Sequence, residues 1–287
     1  MIRNFGWALK RELWENRWLW LAPLAISAAL LVGAVVYAIR LPGSMPSMHA
    51  LDAVRQRHAI GTPYDLVAGL MMGVGLILAA IYCVDALYGE RRDRSIMLWK
   101  SLPVSDVMTV LAKLCVPILV LPVIVWTLTV VVQVVMLLAS SAVLAAHGQS
   151  AALLWSQVHI VSMSLALLYH LVVMHGVSLA PLYAWLLLVS AWATRAPFAW
   201  AILPPAAIIF LERMTFGTTH FVELVFAPLS SGAAPNAPTP AGATMMDTMN
   251  GVPLTRLLAM PALWAGLAVA ALFLAGAVRL RRSAQPV

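Results

Sequence analysis

Apolar residues come in long unbroken runs along this chain, and polar residues gather in short clusters between them. A membrane helix needs about 20 apolar residues, and such runs lie near Trp18 to Ile39, Tyr64 to Leu87, Val107 to Leu138, Leu165 to Trp192, Phe198 to Leu211 and Pro261 to Leu280. The pattern predicts an all-α polytopic membrane protein with six transmembrane helices. The stretch from Ala151 to Trp192 is too long for one helix. Its first part, Ala151 to Ser164, is read as an external interfacial helix or as the start of a long, tilted fourth span.

The polar clusters set the expected orientation. With six spans and an internal N-terminus, thirteen of the eighteen Lys and Arg residues fall inside, among them Lys10, Arg17, Arg91, Arg92, Lys113 and Arg195. Only Arg40, Arg55, Arg57, Arg213 and Arg256 fall outside. This is the positive-inside bias, and a seventh span would put Arg279, Arg281 and Arg282 on the wrong side. Both termini are therefore expected in the cytoplasm. The segment MIRNFGWALKRELWENRW is too polar and too rich in Trp for a cleaved signal peptide, so the first span is expected to be kept.

Projected as a helix, Trp7, Trp14 and Trp18 fall within about 40° of one another. Arg3, Lys10, Arg11 and Arg17 flank them, and Glu12 and Asn16 lie opposite. An interfacial helix over residues 1–17, anchored among lipid headgroups, is the preferred reading. A belt of tryptophans at the start of the first span is the alternative. Two longer external segments are expected: a loop from Arg40 to Pro63, and residues 212–260. The latter holds the Pro- and Ala-rich tract Ala227 to Ala243, which reads as a flexible connection, and Thr219 to Pro228, a possible short external or re-entrant helix.

Composition narrows the chemistry. The 287 residues are 62% hydrophobic and 10% charged, where soluble domains carry about 25% charged residues, so one transmembrane domain over residues 1–287 takes up the chain and leaves no room for a soluble catalytic domain. The net charge of +7 is accounted for by topology, and no basic and aromatic surface suggests nucleic acid. There is no Walker motif, no HExxH, no GxSxG and no Cys-x-x-Cys, and no catalytic residue, cofactor or metal site is expected within the chain. Cys83 and Cys115 read as apolar fillers. Among the seven histidines, His159, His170 and His175 lie close in sequence, but offsets of 11 and 5 do not align on one α-helical face. Met45, Met48, His49, Met245, Met246 and Met249 would gather soft ligands outside, and in a chain with 15 methionines chance clustering accounts for them. No Asp, Glu, Lys or Arg occurs between Leu114 and Thr194, which argues against ion coupling and for an apolar or amphipathic substrate.

The densest polar cluster, residues 89–106, lies between the second and third spans. Glu90 and Arg94 are spaced for an i,i+4 pair. Ile96, Met97, Trp99 and Leu102 add an apolar face, Pro103 ends the helix, and Ser105 or Asp106 can cap the next one. Apolar groups amid charge on a cytoplasmic helix suggest a docking surface.

The sequence GERRDRSIMLWKSLPVSDVMTVLAKL, Gly89 to Leu114, resembles the segment after the second span in permease subunits of the ABC-2-type transporter family. The six-span plan, the N-terminal interfacial helix and the external segment before the last span extend the likeness. The resemblance implies that Glu90 to Leu102 is a coupling helix seated in a separate ABC ATPase subunit, which binds the ATP and Mg. Glu90, Arg91, Arg94, Ile96, Met97, Trp99 and Lys100 would contact that subunit, and Leu102, Pro103 and Ser105 would shape the turn. Arg3, Trp7, Lys10, Arg11 and Trp14 would form the connecting helix. It also implies a second permease, identical or not, a place in the inner membrane of a bacterial-type cell, and export by ATP-driven rocking of the pair. Two alternatives stay open: a membrane enzyme acting on lipid or peptide through His170, His175 and Glu223, and a non-transporting sensor or immunity subunit that holds a ligand on residues 212–260.

Overall fold

The computed structural model describes residues 2–95, 105–222 and 254–283. Described residues are helical or in short turns, with no strand among them. Six helical stretches are long and apolar enough to cross a membrane, so the chain is a multi-pass membrane protein.

An amphipathic α1 (Ile2–Glu15) leads into α2 (Trp18–His49), and α3 (Ala53–Asp85) continues after a short turn into α4 (Tyr88–Arg92). The third crossing is α5 (Asp106–Cys115), a π-helical turn (Val116–Val120) and α6 (Leu121–Ala146). The fourth begins with a separate short α7 (Ala152–Gln157). It then runs through α8 (Ile160–Tyr169), a second π-helical segment (His170–Val177) and α9 (Ala180–Trp192). Then come α10 (Pro197–Phe216), α11 (Leu254–Leu258) and α12 (Pro261–Ser283).

Residues 151–164 thus divide. Val158 is extended and breaks the chain between α7 and α8, and Leu154 of α7 packs at the same end as Met45, Tyr64 and Leu144. Ser190, near the end of α9, meets α4 at the opposite end. One long crossing therefore spans residues 160–192, broken only at Ser178 and Leu179.

The expected loop from Arg40 to Pro63 is a correction. α2 continues to His49 and α3 already starts at Ala53, with Asp52 capping it by accepting from the Arg55 N–H at 2.8 Å. Pro42, Pro46 and Pro63 sit inside these helices. Leu41 and Met45 pack against Ile60, Tyr64, Leu144 and Leu154, and that packing outweighs the local preference of proline for a break.

In lipid there is little hydrophobic gain from joining helices, so close approach and cross-helix hydrogen bonds must hold the bundle. α2 lies along α6, and α9 along α12. The second pair is close because its contact residues are small: Ala180 and Ala184 meet Ala270, and a Cβ on Gly266 would stand 3.2 Å from Pro181. Trp126 donates to the Ser164 carbonyl at 2.9 Å, and Gln133 to the Tyr64 carbonyl at 3.2 Å.

The two π segments touch each other. Pro117 and Pro122 have no N–H to give, which loosens the α ladder between α5 and α6, and Leu121 donates back to Val116, five residues away. A Cβ on Gly176 would stand 2.6 Å from the Ile118 carbonyl oxygen. Only a glycine lets the second π segment approach so closely. Replacing Gly176 with Ala is expected to destabilise the bundle by about 1–3 kcal/mol through overpacking, read as a lower melting temperature in detergent, whereas Gly73→Ala, with nothing near its Cβ position, leaves melting unchanged.

Candidate functional site: a buried ionic hub at one end of the bundle

At the end of the bundle where α1, α4, α5, α9 and α12 converge, charged side chains are buried together. Glu12, on α1, is fully buried, and Lys113, on α5, is 2% exposed. Lys113 Nζ stands 3.0 Å from Glu12 Oε1 and 3.1 Å from Glu90 Oε1. Arg281, from α12, donates to Glu90 Oε2 at 3.1 Å and also pairs with Asp106. Arg11 reaches Glu12 at 2.8 Å and Glu90 at 3.4 Å. Tyr82, from α3, donates its hydroxyl proton to Glu12 Oε2 at 2.8 Å.

Three carboxylates (Glu12, Glu90, Asp106) thus face three cations (Arg11, Lys113, Arg281). Charge must balance here because an unpaired buried ion costs several kcal/mol. Burial alone would raise the Glu12 carboxyl, yet Lys113 and Arg11, with the Lys113 and Tyr82 hydrogen bonds, hold it below its ordinary value of 4.5.

A second set of contacts fixes the root of the charged connection to α9. The Ser190 hydroxyl oxygen accepts from the backbone N–H groups of Leu87 and Tyr88, each at 2.9 Å. Arg91 runs inward and donates to the Ser190 carbonyl at 2.9 Å and to the Ala193 carbonyl. These are among the carbonyls that the end of a helix leaves without an intrahelical donor. Because Arg11 and Arg281 both reach Glu90, the start of the chain and the end of α12 lie on the same side of the bundle.

These positions revise several expectations. Glu90 and Arg91 are both 6% exposed and are occupied within the chain, so they do not form an outward face. Arg94 lies beyond the end of α4 with left-handed backbone, φ 56°, so the expected i,i+4 geometry with Glu90 is absent; its side chain is exposed. Ser105 caps α5, accepting from the Met108 N–H at 3.2 Å. Ile96, Met97, Trp99, Lys100, Leu102 and Pro103 lie outside the described residues, as does Glu223. On α1, Trp7 and Trp14 are exposed and Lys10 stands 5.4 Å from the Trp7 ring. Arg11 turns inward instead of flanking them. Arg3 falls within α1.

Sequence reasoning placed Glu12 opposite the tryptophans but not in a protein interior, and it counted Lys113 and Arg281 only as topology markers. The available signal was a single Glu on the non-aromatic side of α1 and a single Lys at the edge of an apolar run. Among the described residues, no three His, Cys, Asp or Glu side chains gather in metal-binding geometry. The rings of His170 and His175, however, approach to 5.2 Å, because the π segment brings residues five apart onto one side.

Removing one member of the hub leaves opposite charges buried and unmatched. Lys113→Met is expected to cost about 3–5 kcal/mol, and adding Glu12→Gln recovers part of that loss, a coupling measurable by thermal melting of the two single variants and the double. The hub also predicts an acid limb. Because Glu12 titrates lower folded than unfolded, its stabilisation is complete above about pH 4.5 and is lost as pH falls through the lower folded value; melting temperature against pH should show that loss in the wild type and less of it in Glu12→Gln.

Compared with protein-family models, with curated proteins and with solved structures, the chain matches none.

Proposed function

We propose that the chain is the membrane subunit of an ATP-driven exporter of ABC-2 type, acting on an apolar or amphipathic substrate through a separate ATPase. The observation that carries this reading is the anchoring of the charged connection. Its root, Leu87 to Arg91, is tied by buried hydrogen bonds and ion pairs to α1, α5, α9 and α12. A force applied at residues 92–104 by a docked partner would pass into four helices at once. An ordinary topological loop has no need of such a root, since Arg and Lys act there by charge alone.

In this reading the exposed Arg94, together with Trp99 and Lys100, meets the ATPase, and Glu90 and Arg91 transmit its motion inward. The exposed Trp7 and Trp14 set α1 in the headgroup layer on the same side. That side is the cytoplasm. A second permease, identical or related, completes the transporter. The crossing best suited to meet it is α10, the least covered of the six, with only Pro197 and Ala201 buried.

Co-purification tests the proposal. The chain is expressed with tagged ABC ATPases from the same genome, as wild type and as an Arg94→Glu, Trp99→Ala double variant. We expect one ATPase to be retained by the wild type and at least tenfold less by the variant, with size exclusion showing that the variant stays monodisperse. Equal capture of both forms, or capture of no ATPase by the wild type, would overturn the proposal.

A further inference from the structure

We infer that His170 and His175 form a two-nitrogen chelate for a late first-row transition metal ion, set within the fourth crossing. The inference is independent of the transport reading and rests on three observations.

The first is backbone geometry. In an α-helix a residue five positions on is rotated by about 140°, at about 100° per residue, and two such histidines point apart. Between His170 and Val177 the helix is of π type, and the Ser178 N–H bonds to the Val173 carbonyl five residues back at 2.9 Å. A residue five positions on then stands about one turn above its partner. Short π segments inside α-helices are uncommon and occur frequently at functional sites.

The second is ring geometry. A zinc–imidazole bond of about 2.0–2.1 Å puts the metal about 3.2 Å from each ring centroid, and a tetrahedral angle between two such ligands separates the centroids by about 5.2 Å. The rings of His170 and His175 are 5.2 Å apart and inclined at 55°. That separation of centroids matches two imidazoles on one tetrahedral ion.

The third is an unmet polar atom. His170 is 7% exposed, and its Nδ1 is buried without a hydrogen-bond partner. A buried polar atom left unpaired is costly and calls for an explanation. A metal ligand is one that also accounts for the π segment and the ring spacing. Imidazole suits zinc, copper and nickel. With no third His, Cys, Asp or Glu in the group among the described residues, the chelate binds more weakly than a four-ligand structural site.

The test is equilibrium dialysis of the purified full-length protein in detergent against Zn2+, with bound metal counted per chain. Wild type should bind one ion saturably at this site. His170→Asn and His175→Asn should each weaken that binding at least tenfold, and His147→Asn and His159→Asn, on exposed histidines, should leave it intact. Absence of saturable binding, or binding unchanged in both His170→Asn and His175→Asn, would overturn the assignment. Should either variant fail to fold, wild-type protein is treated with diethylpyrocarbonate and its histidines are mapped by mass spectrometry. Zn2+ protection of His170 and His175 supports the chelate, and modification of both to the same extent with and without Zn2+ refutes it.

Discussion

A charge buried at the end of a membrane bundle must be met by an opposite charge or, as at Arg91, by backbone carbonyls, and this constraint organises one whole end of the molecule. Glu12 and Glu90 are buried with Lys113 and Arg281, and the half-buried Arg11 and Asp106 complete three charges of each sign. Each pair joins residues on different helices or consecutive residues on α1, so neutrality is reached only when α1, α4, α5 and α12 are all in place. The amphipathic first helix lies against α5 because its one inward carboxylate has its partner there, and its tryptophans face outward as a result.

The rest of the bundle rests on proximity. Small residues let α9 and α12 approach, and Gly176 lets two π segments meet across the Ile118 carbonyl. The prolines that end a helix in water are carried inside α2 and α3, where neighbouring helices enforce continuity. The same departures from α geometry bring His170 and His175 together. A backbone irregularity and an unusual side-chain pair thus share one cause.

The crossings were legible in the sequence because lipid imposes one requirement, a long apolar run, that needs no knowledge of partners. A cap for α5 at Ser105 or Asp106 was legible too, since capping is local, and the structure uses Ser105. The stretch from Arg40 to Pro63 was not, because proline and glycine punctuate isolated chains, whereas here Leu41, Met45, Ile60 and Tyr64 pack across the turn. Glu90 and Arg91 looked like surface residues because a charged run ordinarily lies in water. Apart from Lys113 in the next crossing, their partners at Arg11, Ser190 and Arg281 stand 79 to 191 positions away in sequence, beyond any pattern a local window can show. The histidine pair was hidden because an α-helical period is the natural assumption for a membrane helix.

Arg281 comes from α12, and that position gives the hub an order in time. A chain leaving the ribosome presents Glu12 first, then Glu90 and Asp106, then Lys113. The last cation arrives only with α12, after the other five crossings have been made. Until then Glu90 and Asp106 lack the guanidinium that both contact in the folded protein. A chain that has not yet docked α12 therefore sets three hub carboxylates against two cations, so the charges at this end balance only in the last step of assembly.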